Sequence, residues 1–149
     1  MGLYDALGVG ASGLSAQRAR VEALTENIAN SETTRTPQGG PYRRRRVVFE
    51  SAPARQAFGA VLGQARSRID GGALEGVRVA RVEFEAAEPE MRFEPDHPDA
   101  DEAGYVAYPG FNPIEDMVDL TASVRSYQAH LADIDAVRQM INATLDVAR

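Results

Sequence analysis

The last quarter of the chain sets the strongest limit on its fold. Residues 114–149 contain neither Gly nor Pro, and Met117, Leu120, Val124, Tyr127, Leu131, Ile134, Ile141, Leu145 and Ala148 recur there at steps of three and four. That spacing lays one apolar seam along an α-helix, with the period of a coiled coil. Arg138 falls where the seam expects an apolar side chain, and Val137 stands beside it to cover the gap. Asn112 is a favourable N-cap and Pro113 suits the first helical position. Glu115 and Asp116 occupy the first turn, where the helix dipole favours acids. At 1.5 Å per residue this helix reaches roughly 50 Å.

The N-terminal segment is helical by the same reasoning. Leu3, Leu7, Leu14, Val21 and Ile28 share one face, with Leu24 at its edge. The opposite face carries Gly8, Ser12, Ala16, Ala19 and Ala23, small enough for another backbone to come close. Gly8, Gly10 and Gly13 each cost about 1 kcal/mol relative to Ala in a helix, so its first turns depend on packing. Asn30 and Ser31 are stop signals.

Residues 32–111 have another character. Gly39, Gly40 and Pro41 form a turn cluster. Residues 42–50 predict a strand ending in Val47, Val48 and Phe49. Residues 51–72, rich in Ala, Gly and Arg, are compatible with a short helix over 57–68 or with a loop. Val77, Val79, Val82 and Phe84 predict a strand whose alternation slips near Ala80, as a bulge would cause. Short strands are expected at 91–93 and 105–108. The fold class is therefore mainly α with a small β-rich middle, its long N- and C-terminal helices packed as a coiled-coil-like pair. Residues 1–31 and 112–149 form a terminal-helix polymerisation domain, and 32–111 a β-rich and loop module.

Charge and composition exclude several functions. Of 149 residues, 16 are basic and 22 acidic, a net charge of -6. Nucleic acid is thus not expected as a partner, because phosphate binding needs a net or clustered positive field. Arg43–Arg46 do cluster, but alternate residues of a strand point to opposite faces, so the run makes no single patch. Ion pairs with acidic neighbours suit Arg44 and Arg45 better, including the acidic loop of another subunit. Without cysteine the chain has no disulfides or thiolate metal sites. No run approaches the roughly 18–20 apolar residues of a membrane span. The N-terminus lacks the charged start, apolar core and cleavage site of a secretory signal. That pattern fits a cytoplasmic protein, or one exported without cleavage.

No catalytic, cofactor-binding or metal-binding residues are expected. His97 and His130 have no nucleophile and orienting acid placed beside them by sequence. Asp96, Asp99, Asp101 and Glu102 superficially suggest a calcium loop. Such a loop needs Gly at its sixth position and Glu at its twelfth, and Asp101 and Ala107 stand there, so a solvated turn is expected instead. Asn27 and Asn30 read as helix caps, or as buried amides that fix register between subunits.

Two terminal helices with this much apolar surface exceed what the small middle can cover, so the remaining burial is expected from other subunits. The alternatives are a monomeric helical hairpin over a small sheet, and a soluble helical adaptor or export chaperone acting as monomer or dimer. A periplasmic enzyme acting on the cell wall lacks a catalytic constellation.

The segment Asn27-Ile28-Ala29-Asn30-Ser31, running on to Gly39-Gly40-Pro41-Tyr42-Arg43, resembles the N-terminal signature of flagellar rod, hook and related axial proteins. The proline-tyrosine-basic run into Val47, Val48 and Phe49 is similar to short proximal-rod members of that family. So are Gly104-Tyr105-Val106, Asn112 to Met117, and Ser126-Tyr127-Gln128-Ala129. The likeness spans residues 3–50 and 76–149, while 52–72 depart from it, and longer members carry a larger middle. It implies a structural subunit of the basal-body rod in the periplasm, tubular around the export channel, contributing to torque transmission and motility. The implied partners are other copies, other rod proteins, the basal-body adaptor at the rod base and the flagellar type III export apparatus. Export without a cleaved signal peptide is implied too. The expected assembly residues are Leu7, Leu14, Val21, Leu24, Asn27, Ile28, Asn30, Arg44, Arg45, Met117, Leu120, Val124, Tyr127, Leu131, Ile134, Ile141 and Leu145.

Overall fold

The structure, a computed structural model, describes residues 3–53 and 75–147. The expectation for residues 57–68, and Ala148 of the C-terminal seam, lie outside the described residues. Helix α1 runs Leu3–Ala29, and strands β1 and β2 run Arg45–Pro53 and Glu75–Phe84. Strands β3 and β4 follow at Glu90–Phe93 and Tyr105–Tyr108, and helix α2 closes the chain at Pro113–Val147. β1 pairs with β2, and β3 with β4, as two separate two-stranded sheets. The fold is thus mainly α with a small β middle, as the sequence predicts.

The helix ends obey local chemistry. The Asn112 side-chain oxygen accepts the Ile114 N–H at 3.0 Å, capping α2 one residue before Pro113. At the end of α1 the Asn30 side-chain amide donates to Glu26 O at 2.9 Å and the Ser31 hydroxyl to Ile28 O at 2.9 Å. These two groups add a second donor to carbonyls of the last turn that already accept the Asn30 and Ser31 N–H groups. β1 begins at Arg45, later than expected, because the chain before it is engaged elsewhere: the Tyr42 N–H donates to Thr33 O at 3.0 Å. β2 is a continuous strand, and Val79, Val82 and Phe84 are all exposed on it.

The described residues divide into two compact units. One takes residues 3–19, 49–53, 75–80 and 124–147; the other is Arg20–Val48 with Arg81–Ser123. In the first, α1 and α2 approach closely because α1 presents glycines: a methyl group added at Gly10 would sit 3.1 Å from Ile134 Cγ1, and one at Gly13 would sit 3.1 Å from His130 Cε1. Ser12 joins this unit's helix to β2, accepting the Val77 N–H at 3.1 Å. In the second unit Arg20 of α1 meets Asp119 of α2 at 3.4 Å. In the first unit the contact order, 10 with 134 and 13 with 130, is antiparallel.

The buried face of α1 differs from the expected one. Gly13, Ala16, Ala23, Leu24 and Asn27 are buried, whereas Leu7, Leu14, Val21 and Ile28 are only half-buried. At Gly10 and Gly13, where α2 lies nearest, the inward line has no room for a side chain as large as leucine. Gly10→Leu should therefore destabilise the chain by about 1–3 kcal/mol through overpacking against Ile134. Ala11→Leu, at an exposed position of the same helix, should change stability by less than about 0.5 kcal/mol. Urea unfolding of the two variants measures the difference.

Candidate assembly interface

Each face of α2 has a distinct role. Beyond its first residue, the positions of α2 that are not exposed are Asp116, Asp119, Leu120, Ser123, Ser126, Tyr127, His130, Ile134, Val137 and Ile141. From Leu120 the line steps 120, 123, 127, 130, 134, 137, 141, a seven-residue repeat. Leu120, Tyr127, Ile134 and Ile141 therefore lie inward, as half of the expected seam. The other half is displaced by one residue. Asp116, Ser123, His130 and Val137 point inward, where Met117, Val124, Leu131 and Arg138 were expected. Met117, Val124, Leu131 and Leu145 are 50%, 39%, 40% and 61% exposed. They form a second apolar line, one residue round the helix, that the described residues leave exposed.

The inward polar positions are occupied because each has a local partner. Ser123 donates to Asp119 O at 2.7 Å and needs nothing outside its own helix. His130 lies over Gly13, where its ring fills the space a side chain would otherwise take. Asp116 is fully buried. Its Oδ1 receives the Arg44 guanidinium through Nε at 3.0 Å and through Nη2, while Nη1 of the same arginine reaches Glu85 Oε2 at 3.2 Å. Hydrogen bonding to Asp116 holds the arginine's pKa above its already high ordinary value. Arg44 thus joins the first turn of α2 to the segment after β2.

Asn27 is the second polar joint and is also fully buried. Its side-chain NH2 donates to Arg45 O at 3.0 Å. Its Oδ1 accepts the Arg45 N–H at 2.9 Å and the Tyr42 hydroxyl at 2.9 Å. The amide mimics a neighbouring strand and holds the start of β1 against the end of α1. Burial, reinforced by the Glu26 carboxylate, pushes the Tyr42 phenol pKa up. The Arg45 guanidinium pairs with Glu26 and lies 5.5 Å from the Phe84 ring centre.

Arg44, Arg45 and Asn27 each make polar contacts within their own chain. Asn30 also works locally, its Oδ1 accepting the Thr33 hydroxyl at 3.1 Å. Sequence reasoning placed Asp116 only as a first-turn acid and did not single out Glu85. They lie 72 and 41 residues from Arg44, and no spacing rule links such positions. The acidic loop folds as a turn: Asp101 Oδ1 accepts the Ala103 and Tyr105 N–H groups at 2.9 and 2.8 Å, and Asp99 accepts the Thr34 hydroxyl at 2.8 Å. Among the described residues no group of three or more His, Cys, Asp or Glu converges as a metal site.

Similarity to known proteins places the chain among flagellar rod subunits. Residues 7–35 match the family model described as flagella basal body rod protein. The likeness extends over the whole chain in individual relatives. It is 36% identical to flagellar basal-body rod protein FlgC of Borreliella burgdorferi, across 99% of this chain and 98% of that one. It is 34% identical to FlgC of Bacillus subtilis and 32% identical to FlgC of Salmonella typhimurium, across the full length of each. The chain belongs to the FlgC family of flagellar basal-body rod proteins.

Removing either partner of the buried pair, as in Arg44→Met or Asp116→Leu, should cost about 3–5 kcal/mol by stranding the other charge. The double variant should recover much of that loss, since Asp116 Oδ2 is buried with no partner even in the native chain. Chemical denaturation of the four proteins tests the cycle. Tyr42 gives a pH signature. Its folded pKa lies above the unfolded value near 10, so its contribution to stability is complete below about pH 10 and is lost as pH rises through the folded value. Ultraviolet titration of the native chain minus Tyr42→Phe should show one phenol ionising later than free tyrosine.

Proposed function

We propose that this chain is a structural subunit, not an enzyme, which polymerises through its terminal helices, residues 1–31 and 112–149, into a tubular rod around the export channel. The rod carries torque and so serves motility. Its neighbours are other copies, other rod proteins and the adaptor at the rod base. The subunit reaches the periplasm through the flagellar export apparatus without losing a signal peptide. The family and the names of its relatives support the rod location. No described helix is long and apolar enough to cross a membrane.

The observation that carries polymerisation is the second line on α2. Met117, Val124, Leu131 and Leu145 repeat at seven-residue intervals, apart from Arg138, and stand open to solvent. Leu120, Tyr127, Ile134 and Ile141 flank both lines, so a second helix laid along this flank would complete another knobs-into-holes seam. Covering the four exposed side chains would contribute roughly 1 kcal/mol each, about half the value for burial from full exposure. The half-buried Leu7, Leu14, Val21 and Ile28 offer α1 as the matching surface of a neighbour, with Leu24, Asn27, Asn30, Arg44 and Arg45 holding that surface in shape.

Val124→Glu combined with Leu131→Glu should leave the monomer's helix content unchanged by circular dichroism and reduce incorporation into rods at least tenfold, with loss of swarming. Hydrogen exchange at residues 3–30 and 113–147 should be fast in the monomer and slow in the polymer. Full assembly by the double variant, or equal protection in monomer and polymer, would support a free-standing adaptor instead.

A further inference from the structure

The second unit has a groove and a hairpin face that the helix seams leave unused. The groove is walled by Pro41, Tyr42, Pro89, Pro109 and Phe111, with the Tyr42 and Phe111 ring centres 6.4 Å apart. Its volume is about 160 Å³. Small-molecule sites run to roughly 300–1,000 Å³, so this space suits one or two protein side chains. Arg44 and Glu85 also line it, and Arg44 is shared between Glu85 and the buried Asp116. Arg43, on the groove wall, is exposed, with no charge partner among the described residues.

The hairpin of β3 and β4 carries the complementary chemistry. Its register pairs Met91 with Ala107 and Phe93 with Tyr105 on one face, and Glu90 with Tyr108 and Arg92 with Val106 on the other. The second face is the inward one, since Val106 is fully buried and Tyr108 buried. The outward face is therefore apolar, with Met91 54%, Phe93 64% and Tyr105 43% exposed. An antiparallel sheet ordinarily turns polar residues to water. The turn beside this face holds Asp96, Asp101 and Glu102, all exposed and with no cation beside them among the described residues.

We propose that the hairpin face of one copy docks in the groove of the next, its aromatic residue among the prolines and its acids against Arg43. After internal pairing, Arg43 remains on the groove wall and three carboxylates remain beside the hairpin face, so charge favours a second copy as the occupant. Groove and face are different surfaces of one chain, and such a contact propagates head to tail rather than closing a dimer. The proposal rests on the assembly reading and adds a contact outside the helices.

Arg43→Glu and Glu102→Arg should each lower incorporation into rods about tenfold without changing monomer stability. The variant carrying both exchanges should restore it. The chain contains no cysteine. Basal bodies from cells co-expressing Arg43→Cys and Glu102→Cys chains should therefore give disulfide-linked dimers of this protein on oxidation, absent when either is expressed alone. Normal assembly by both single charge variants would overturn the proposal. So would cross-linking of Arg43→Cys to a different protein, or failure of the double exchange to rescue. If Val124→Glu with Leu131→Glu blocks assembly while Arg43→Glu assembles normally, the helix seam stands and only this contact falls.

Discussion

The distance between the two long helices governs the rest of the structure. Gly10 and Gly13 bring α2 so close that Ile134 and His130 lie within contact range of the α1 backbone. At that separation the inward line of α1 accommodates glycine, alanine and one leucine, and the larger apolar side chains are displaced to the flanks. A pair that packed its leucines against each other would stand further apart and hide more apolar surface. The close pair does the reverse, and the surface left open on α2 is what a neighbour can cover.

Polar joints then fix the small β module to the helices. Arg44 bridges Asp116 and Glu85, and Asn27 grips Arg45 and Tyr42. Both joints lie in the second unit, and both use groups that would be costly to bury unpaired. They make the beginning of β1 depend on α1 and the beginning of α2 depend on the segment after β2. Side chains from four parts of the sequence thereby hold one arrangement that local propensity alone would not specify.

Much of the architecture was legible in the chain. Uninterrupted three- and four-residue spacing gave α2, Asn112 its start, Asn30 the end of α1, and residues 105–108 the strand β4. The inward face of α2 was misread by one position, for a physical reason. Hydrophobicity ranks Met117, Val124 and Leu131 above Asp116, Ser123 and His130, yet the latter lie inward because Arg44, Asp119 and Gly13 provide for them. Those partners are distant in sequence or depend on how near the other helix lies. Within the arginine run, Arg44 and Arg45 pair with acids of their own chain.

The buried ion pair has a consequence for the angular setting of α2. The polar line and the apolar line beside it are one residue apart, about 100° of rotation. A uniformly greasy helix could turn through that angle and settle with either line against its partner. Turning this one would pull the Asp116 carboxylate away from Arg44 and leave both ions stranded. Asp116 therefore acts as a key in a slot: it fixes which stripe of α2 the second unit turns inward.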